Sequence, residues 1–284
     1  MSLVTFIAVF GAALLHATWN TLLKSGDDKV LSMAGIVVGH IPFGIVALFF
    51  VSLPSINCLP YLGASIGFHT GYQFFLLKSY QIGDLTHVYP LARGSAPILV
   101  TIFSVVVLGV KLHPLQLLSI LLITCGIISL TLARHDNGQF NFRATKFALI
   151  TGLFIASYSL VDGLGARVAE TSWGFYSCLT IGNGIVAICY LLLTKPNTLI
   201  DLAFKGRKIF VIGGGTSFLA YGIVTWAFTQ APIALVTALR ETSIIFALLM
   251  GVFFLKERLS FIKVCSTFST LFGVILLRFI KSQW

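Results

Sequence analysis

The chain has 284 residues, of which 57% are hydrophobic and only 10% charged, with a mean hydropathy of +0.97. Ordinary soluble domains carry about 25% charged residues, so this composition excludes them and describes an integral membrane protein. The formal net charge of +10 does not point to nucleic acid, because the basic residues lie between apolar stretches, where they orient helices in a membrane.

Taken in order, apolar stretches long enough for a helical crossing run near Leu3–Leu23, Leu31–Leu53, Tyr61–Ser79, His87–Gly109, Leu115–Ala133, Lys146–Ala166, Trp173–Thr194, Lys208–Thr229, Pro232–Leu255 and Ser260–Phe279. The start, MSLVTFIAVFGAALLHA, lacks the basic residues of a signal peptide and continues apolar to Leu23, so it reads as an uncleaved first helix. The connections are short and polar. The two longest are RHDNGQFNFRAT after span five and KPNTLIDLAFKGRK after span seven. Cys58, Cys125, Cys178, Cys189 and Cys265 form no CxxC and read as small hydrophobes.

The ninth span carries Arg240 and Glu241 inside an apolar run. A charge at that depth costs about 2.5–3.5 kcal/mol even on lenient insertion scales, so both must face protein or water. A shift of 147 positions sets Arg240 on Arg93, Thr242 on Ser95 and Gly273 on Gly126 without a gap. Ala17-Thr18-Trp19-Asn20 similarly pairs with Ala156-Ser157-Tyr158-Ser159, and Tyr72 with Tyr221. The chain therefore divides into residues 1–140 and 141–284, five spans each. Because five is odd, like-folded halves must cross in opposite senses: ten transmembrane helices as two five-helix inverted-topology repeats, with a site at the repeat interface.

At this point the chain resembles the drug/metabolite transporter superfamily, specifically its EamA-type ten-helix members. The residues that carry the resemblance are HATWNTLLK in span one, YPLARGSAPI opening span four, and LRETSIIFALLMGVFFLKERLS in the ninth. The resemblance implies a metabolite exporter of the inner (cytoplasmic) membrane. One departure is that the acidic residue after span nine, Glu257, aligns with Val110 in the first half.

Several residues are candidates for a substrate site. Arg93 and Arg240 offer planar donors suited to carboxylate or phosphate and keep their charge; the alternative is a structural pair with a neighbouring helix or with Glu241. Pro97 frees a backbone carbonyl in span four, and Tyr89 lies one turn before Arg93. In span three, Gly63, Gly67 and Gly71 form a smooth face for helix packing, while His69, Tyr72 and Gln73 fall opposite as cavity lining. His16, Trp19 and Asn20 share one face of span one, with a belt position the alternative for Trp19. Tyr158 and Tyr221 complete the set. Asp162 reads as hydrated near a helix end, and His40 as structural. Glu241 is the candidate for ion coupling, against a permanently ionised partner of an arginine.

No HExxH or phosphate loop is present, so neither an enzyme nor a metal or cofactor site is expected. The expected function is secondary active transport of a small amino-acid-like, anionic or zwitterionic metabolite by alternating access. The alternatives are a phosphate- or phosphonate-bearing metabolite, or a passive channel. The expected partners are a small-molecule substrate, the lipid bilayer and a second copy in a homodimer. Orientation divides the arguments: Lys and Arg concentrate in the loops after odd-numbered spans, which puts the termini outside, whereas the resemblance puts them inside.

Overall fold

A computed structural model describes residues 1–26, 28–83, 85–133, 141–255 and 260–279. Every regular element among them is helical: α1 Leu3–Ser25, α2 Lys29–Leu48, α3 Leu59–Ile82, α4 Leu85–Val106, α5 Pro114–Ser129, α6 Phe142–Val168, α7 Ser172–Thr194, α8 Pro196–Phe204, α9 Gly214–Gln230, α10 Ile233–Arg240, α11 Ser243–Leu255 and α12 Phe261–Phe279. A 3₁₀ turn at Leu130–Ala133 extends α5, and a π turn at Ile209–Gly213 leads into α9.

Local chemistry accounts for the helix starts. Asp28, Asn141 and Thr171 accept the first free N–H groups of α2, α6 and α7, while Pro60 and Pro114 occupy the first turns of α3 and α5. At the end of α4, Gly109 takes φ 65° and Val110 N–H donates to Ser104 O at 2.9 Å, so the helix stops at Val106 short of the expected Gly109. Span two likewise ends at Leu48 rather than Leu53, before the Pro54 segment. The loop expected after span seven contains α8, whose Asp201 pairs at 2.7 Å with Lys205 just past the helix end, four residues on.

Eight of the described helical stretches are long and apolar enough to cross a membrane, α10 and the start of α11 counting as one. The other two expected spans differ for physical reasons. α3 has 24 residues, ample length, but carries the polar set around Ser65, His69, Thr70 and Gln73. α5 has 16 residues and needs its 3₁₀ extension to lengthen it.

Span nine is not continuous. It breaks at Glu241-Thr242, where Glu241 N–H and Thr242 N–H reach back only three residues, to Ala238 O and Leu239 O, and Ile244 and Ile245 do the same. This tightened turn sits among fully buried residues rather than at a membrane surface.

Two helix pairs, α2 with α7 and α5 with α12, make reciprocal contacts. A Cβ on Gly126 would lie 2.9 Å from Ser266 O and 3.1 Å from Thr270 N; a Cβ on Gly273 would lie 2.8 Å from Ser119 O and 3.0 Å from Ile123 N. Moving the first-half residue of one contact forward by 147 and its second-half partner back by 147 gives the other. The α2–α7 crossing repeats the rule with a shift of 140: Gly44 faces Ile181 and Ser177 O, and Gly184 faces Ile41 and Val37 O. In each pair the low numbers of one helix meet the high numbers of its partner, so the paired helices run antiparallel. Around them α3 packs on α6 as α9 packs on α1. The glycine face of α3 is a correction: Gly63 and Gly67 meet nothing within 4 Å, and only Gly71 is in close contact, against the Phe154 ring.

Candidate transport cavity

The buried core holds two polar clusters of unlike chemistry. The first is built on the two arginines. Arg93, on α4, donates from Nε to Glu241 Oε2 at 2.7 Å, from one terminal nitrogen to His16 Nε2 at 2.8 Å, and from the other to Ser243 Oγ at 3.3 Å. Arginine only donates, so His16 Nε2 is the acceptor in its bond. Arg240 donates to Glu241 Oε1 at 3.3 and 3.4 Å. Neighbouring residues of a regular helix point about 100° apart; here the tightened turn lets Arg240 and Glu241 meet. Arg240 and Glu241 are fully buried and Arg93 is 2% exposed. The cluster joins α1 and α4 to the break between α10 and α11.

The second cluster is built on Asp162, which is fully buried and not hydrated at a helix end as its position suggests. α6 continues to Val168, and α3 and α9 cover it. Asp162 accepts from Tyr221 OH at 2.7 Å, from Ser65 Oγ, and pairs with His69 Nε2 at 3.0 Å. The His69 ring stacks on Tyr158 at 4.1 Å between centroids.

Between the clusters lies a partly open cavity with ≈ 70 Å³ of space reachable by water. His16, Trp19, His69, Tyr72 and Gln73 line it from the first half of the chain. Tyr158, Tyr176, Asn183, Ser217 and Tyr221 line it from the second. Met33, Ile36 and Val37 supply an apolar wall. Thus seven of the sequence candidates meet at one space. Trp19 is 6% exposed, edge-on to His16 at 4.8 Å, which places it in the core and not in an interfacial belt.

Arg93, Arg240, Tyr89 and Asn20 lie behind the wall. The Arg240 guanidinium sits 5.7 Å from the Tyr221 ring centre and 6.0 Å from that of Tyr158, one ring's thickness from the cavity. Tyr89 covers Arg93 at 5.9 Å, and Asn20 donates to His16 O at 2.8 Å within α1. Three buried groups that line the cavity have no protein partner, Trp19 Nε1, His40 Nε2 and Tyr176 OH, and behind the wall Arg240 Nη1 and Tyr89 OH have none either. Buried donors are normally paired, so such atoms mark a place where a ligand or water completes the bonding. His40, read from sequence as structural, lines this space. Among the described residues, no three His, Cys, Asp or Glu side chains come together as metal ligands. Glu257 lies outside the described residues.

Sequence reasoning discounted Asp162 as hydrated and did not single out Tyr176, Asn183 or Ser217. A signal existed for Asp162, an acid within an otherwise apolar helix, and for Asn183 between Gly182 and Gly184.

Residues 143–279, from α6 to α12, match the EamA-like transporter family. This chain carries an EamA-family transporter domain. That domain belongs to the drug/metabolite transporter superfamily, and it sits in a chain whose described residues include eight helical stretches long and apolar enough to cross a membrane. A solved structure, described in words only as the crystal structure of a protein, superposes with a TM-score of 0.75 over 98% of this chain and 99% of that one. At 18% identity that likeness speaks for the fold alone. No curated protein matches the sequence.

Proposed function

We propose that this EamA-family protein is a secondary active exporter of the inner (cytoplasmic) membrane that moves a small amino-acid-like, zwitterionic metabolite by alternating access. Its two five-helix halves, residues 1–140 and 141–284, would be inverted repeats that rock about the α2–α7 and α5–α12 crossings. The reciprocal antiparallel contacts of Gly126 with Gly273 and of Gly44 with Gly184 support that arrangement, since equivalent helices related by a two-fold axis in the membrane plane must cross in this way.

The observation that carries the substrate reading is the cavity itself. It is walled by both halves, ringed by tyrosines, and backed by a cluster of two arginines and one carboxylate with a net charge of +1. A net single positive charge suits one carboxylate, with the rings and amides left for an uncharged side chain. The phosphate reading is weaker, because Glu241 already neutralises one of the two guanidinium charges. For Glu241 the same geometry favours a structural counter-ion over a coupling group: its two oxygens receive two arginines. One chain encloses the cavity, so a single chain is the transport unit of this reading and a homodimer would place two such units side by side. Uptake of labelled amino acids and organic acids into proteoliposomes tests it. Saturable uptake of at least one amino-acid-like compound, competed by its analogues, is expected; leak without saturation would indicate a channel and refute the carrier.

A further inference from the structure

The two buried carboxylates differ in what neutralises them. Glu241 has two arginines. Asp162 has none: its partners are the hydroxyls of Ser65 and Tyr221 and the imidazole of His69. An isolated carboxylate out of water costs several kcal/mol, so the site needs one positive charge, and a proton is the only one its partners can supply. His69 is also the member that meets the cavity, with its side chain 15% exposed, while Asp162 is wholly enclosed. A proton can therefore reach the pair from the cavity water through one ring.

Resting on the carrier reading above, we propose that His69 and Asp162 together form the proton-binding site through which transport is coupled to a proton gradient. The proton passes from cavity water to the His69–Asp162 pair, which holds it as imidazolium and carboxylate. It returns to water when the cavity faces the other side. No bond other than those to the proton is made or broken. The pair spans the parts that must move. His69 and Ser65 are on α3, in the first half, whereas Asp162 and Tyr221 are on α6 and α9 in the second. With the proton present the ion pair latches α3 to α6; without it a buried carboxylate keeps only neutral donors, and the halves part more easily.

The surrounding charges are arranged to leave this pair as the responsive one. From α10, Arg240 is separated from it by the Tyr158 and Tyr221 rings. Arg93 and Tyr89 of α4 lie behind Tyr158 with Glu241. From α7, Tyr176 approaches Tyr221 at 5.6 Å between ring centres. Tyr72 of α3 meets Tyr158 edge-on at 5.5 Å, and His40 of α2 lines the same cavity. Among the described residues, none of these brings a second carboxylate or a fixed cation into bonding contact with Asp162.

The test needs no substrate, so it can fail independently of the transport reading. In a protein whose five native cysteines are replaced, Ser217→Cys places a nearly isosteric thiol on the cavity wall. Its reaction with a membrane-impermeant maleimide is followed in proteoliposomes between about pH 5 and 8, the range in which an imidazole changes charge. The rise of thiolate with pH is common to all variants and cancels in a ratio. The ratio of the rate with His69 and Asp162 intact to that in Asp162→Asn should rise toward high pH, by no more than about tenfold per pH unit, the limiting slope of a one-proton equilibrium. His69→Gln, which keeps Asp162, should flatten the profile in the same way and serves if Asp162→Asn does not fold. A ratio independent of pH in both variants overturns the proposal.

Discussion

Glu241→Gln is the most informative perturbation of the buried arginine cluster. The substitution keeps size and hydrogen-bonding capacity but removes the only negative charge among Arg93, Arg240 and Glu241. It leaves two guanidiniums enclosed together, one fully buried and one 2% exposed. Breaking a buried ion pair from one side costs about 3–5 kcal/mol. Arg93→Gln is the natural comparison, because it leaves Arg240 and Glu241 as a neutral pair, although at 3.3 Å and not the 2.7 Å of the lost bond. The expected order of melting temperature is therefore wild type, then Arg93→Gln, then Glu241→Gln. At roughly 2–4 °C per kcal/mol, the fall for Glu241→Gln should exceed about 6 °C. Thermal unfolding followed by size-exclusion chromatography of the detergent-solubilised variants reads the order directly. If Glu241→Gln melts with the wild type, the carboxylate is not a structural counter-ion and its candidacy for ion coupling returns.

Other consequences follow from packing and orientation. Gly63→Ala and Gly67→Ala should be neutral or slightly stabilising, since a Cβ there meets open space and alanine favours helix by about 1 kcal/mol; melting temperatures check this. Gly126→Val and Gly273→Val should each destabilise, and to similar extents, because each forces the same pair of helices apart at backbone contacts under 3 Å. Tyr176→Phe should weaken substrate uptake without changing the melting temperature, its hydroxyl having no protein partner to lose. For orientation, Cys58 is unsuitable as a probe because it is 1% exposed, but its neighbour Asn57 is exposed. The family resemblance predicts that Asn57→Cys is labelled by an impermeant thiol reagent only after cells are permeabilised; labelling of intact cells supports the charge count instead.

Much of the helical layout was legible because an apolar run of given length has few alternatives in a membrane. The 147-residue echo also pointed at the residues that cross in space, since Gly126 and Gly273 face one another's helices across α5 and α12. What the sequence hid were features set by neighbours. Asp162 was judged by its distance from a helix end, yet its burial comes from α3 and α9. The break at Glu241-Thr242 has no proline or glycine to announce it; buried pairing with Arg93 and Arg240 accompanies it. The arginines themselves were rightly placed in the interior, but which side of the tyrosines they occupy depends on packing that no spacing rule encodes.

The central claim, that the space between the halves is the path of the substrate, is tested most directly by blocking it. Ser217→Phe would fill the cavity from α9, at a position outside the hydrogen-bonded arginine cluster and the His69–Asp162 pair. Counterflow of a labelled amino-acid substrate into preloaded proteoliposomes should fall at least tenfold, with the melting temperature unchanged. Undiminished counterflow in that variant would contradict the account, because the substrate would then be crossing somewhere else.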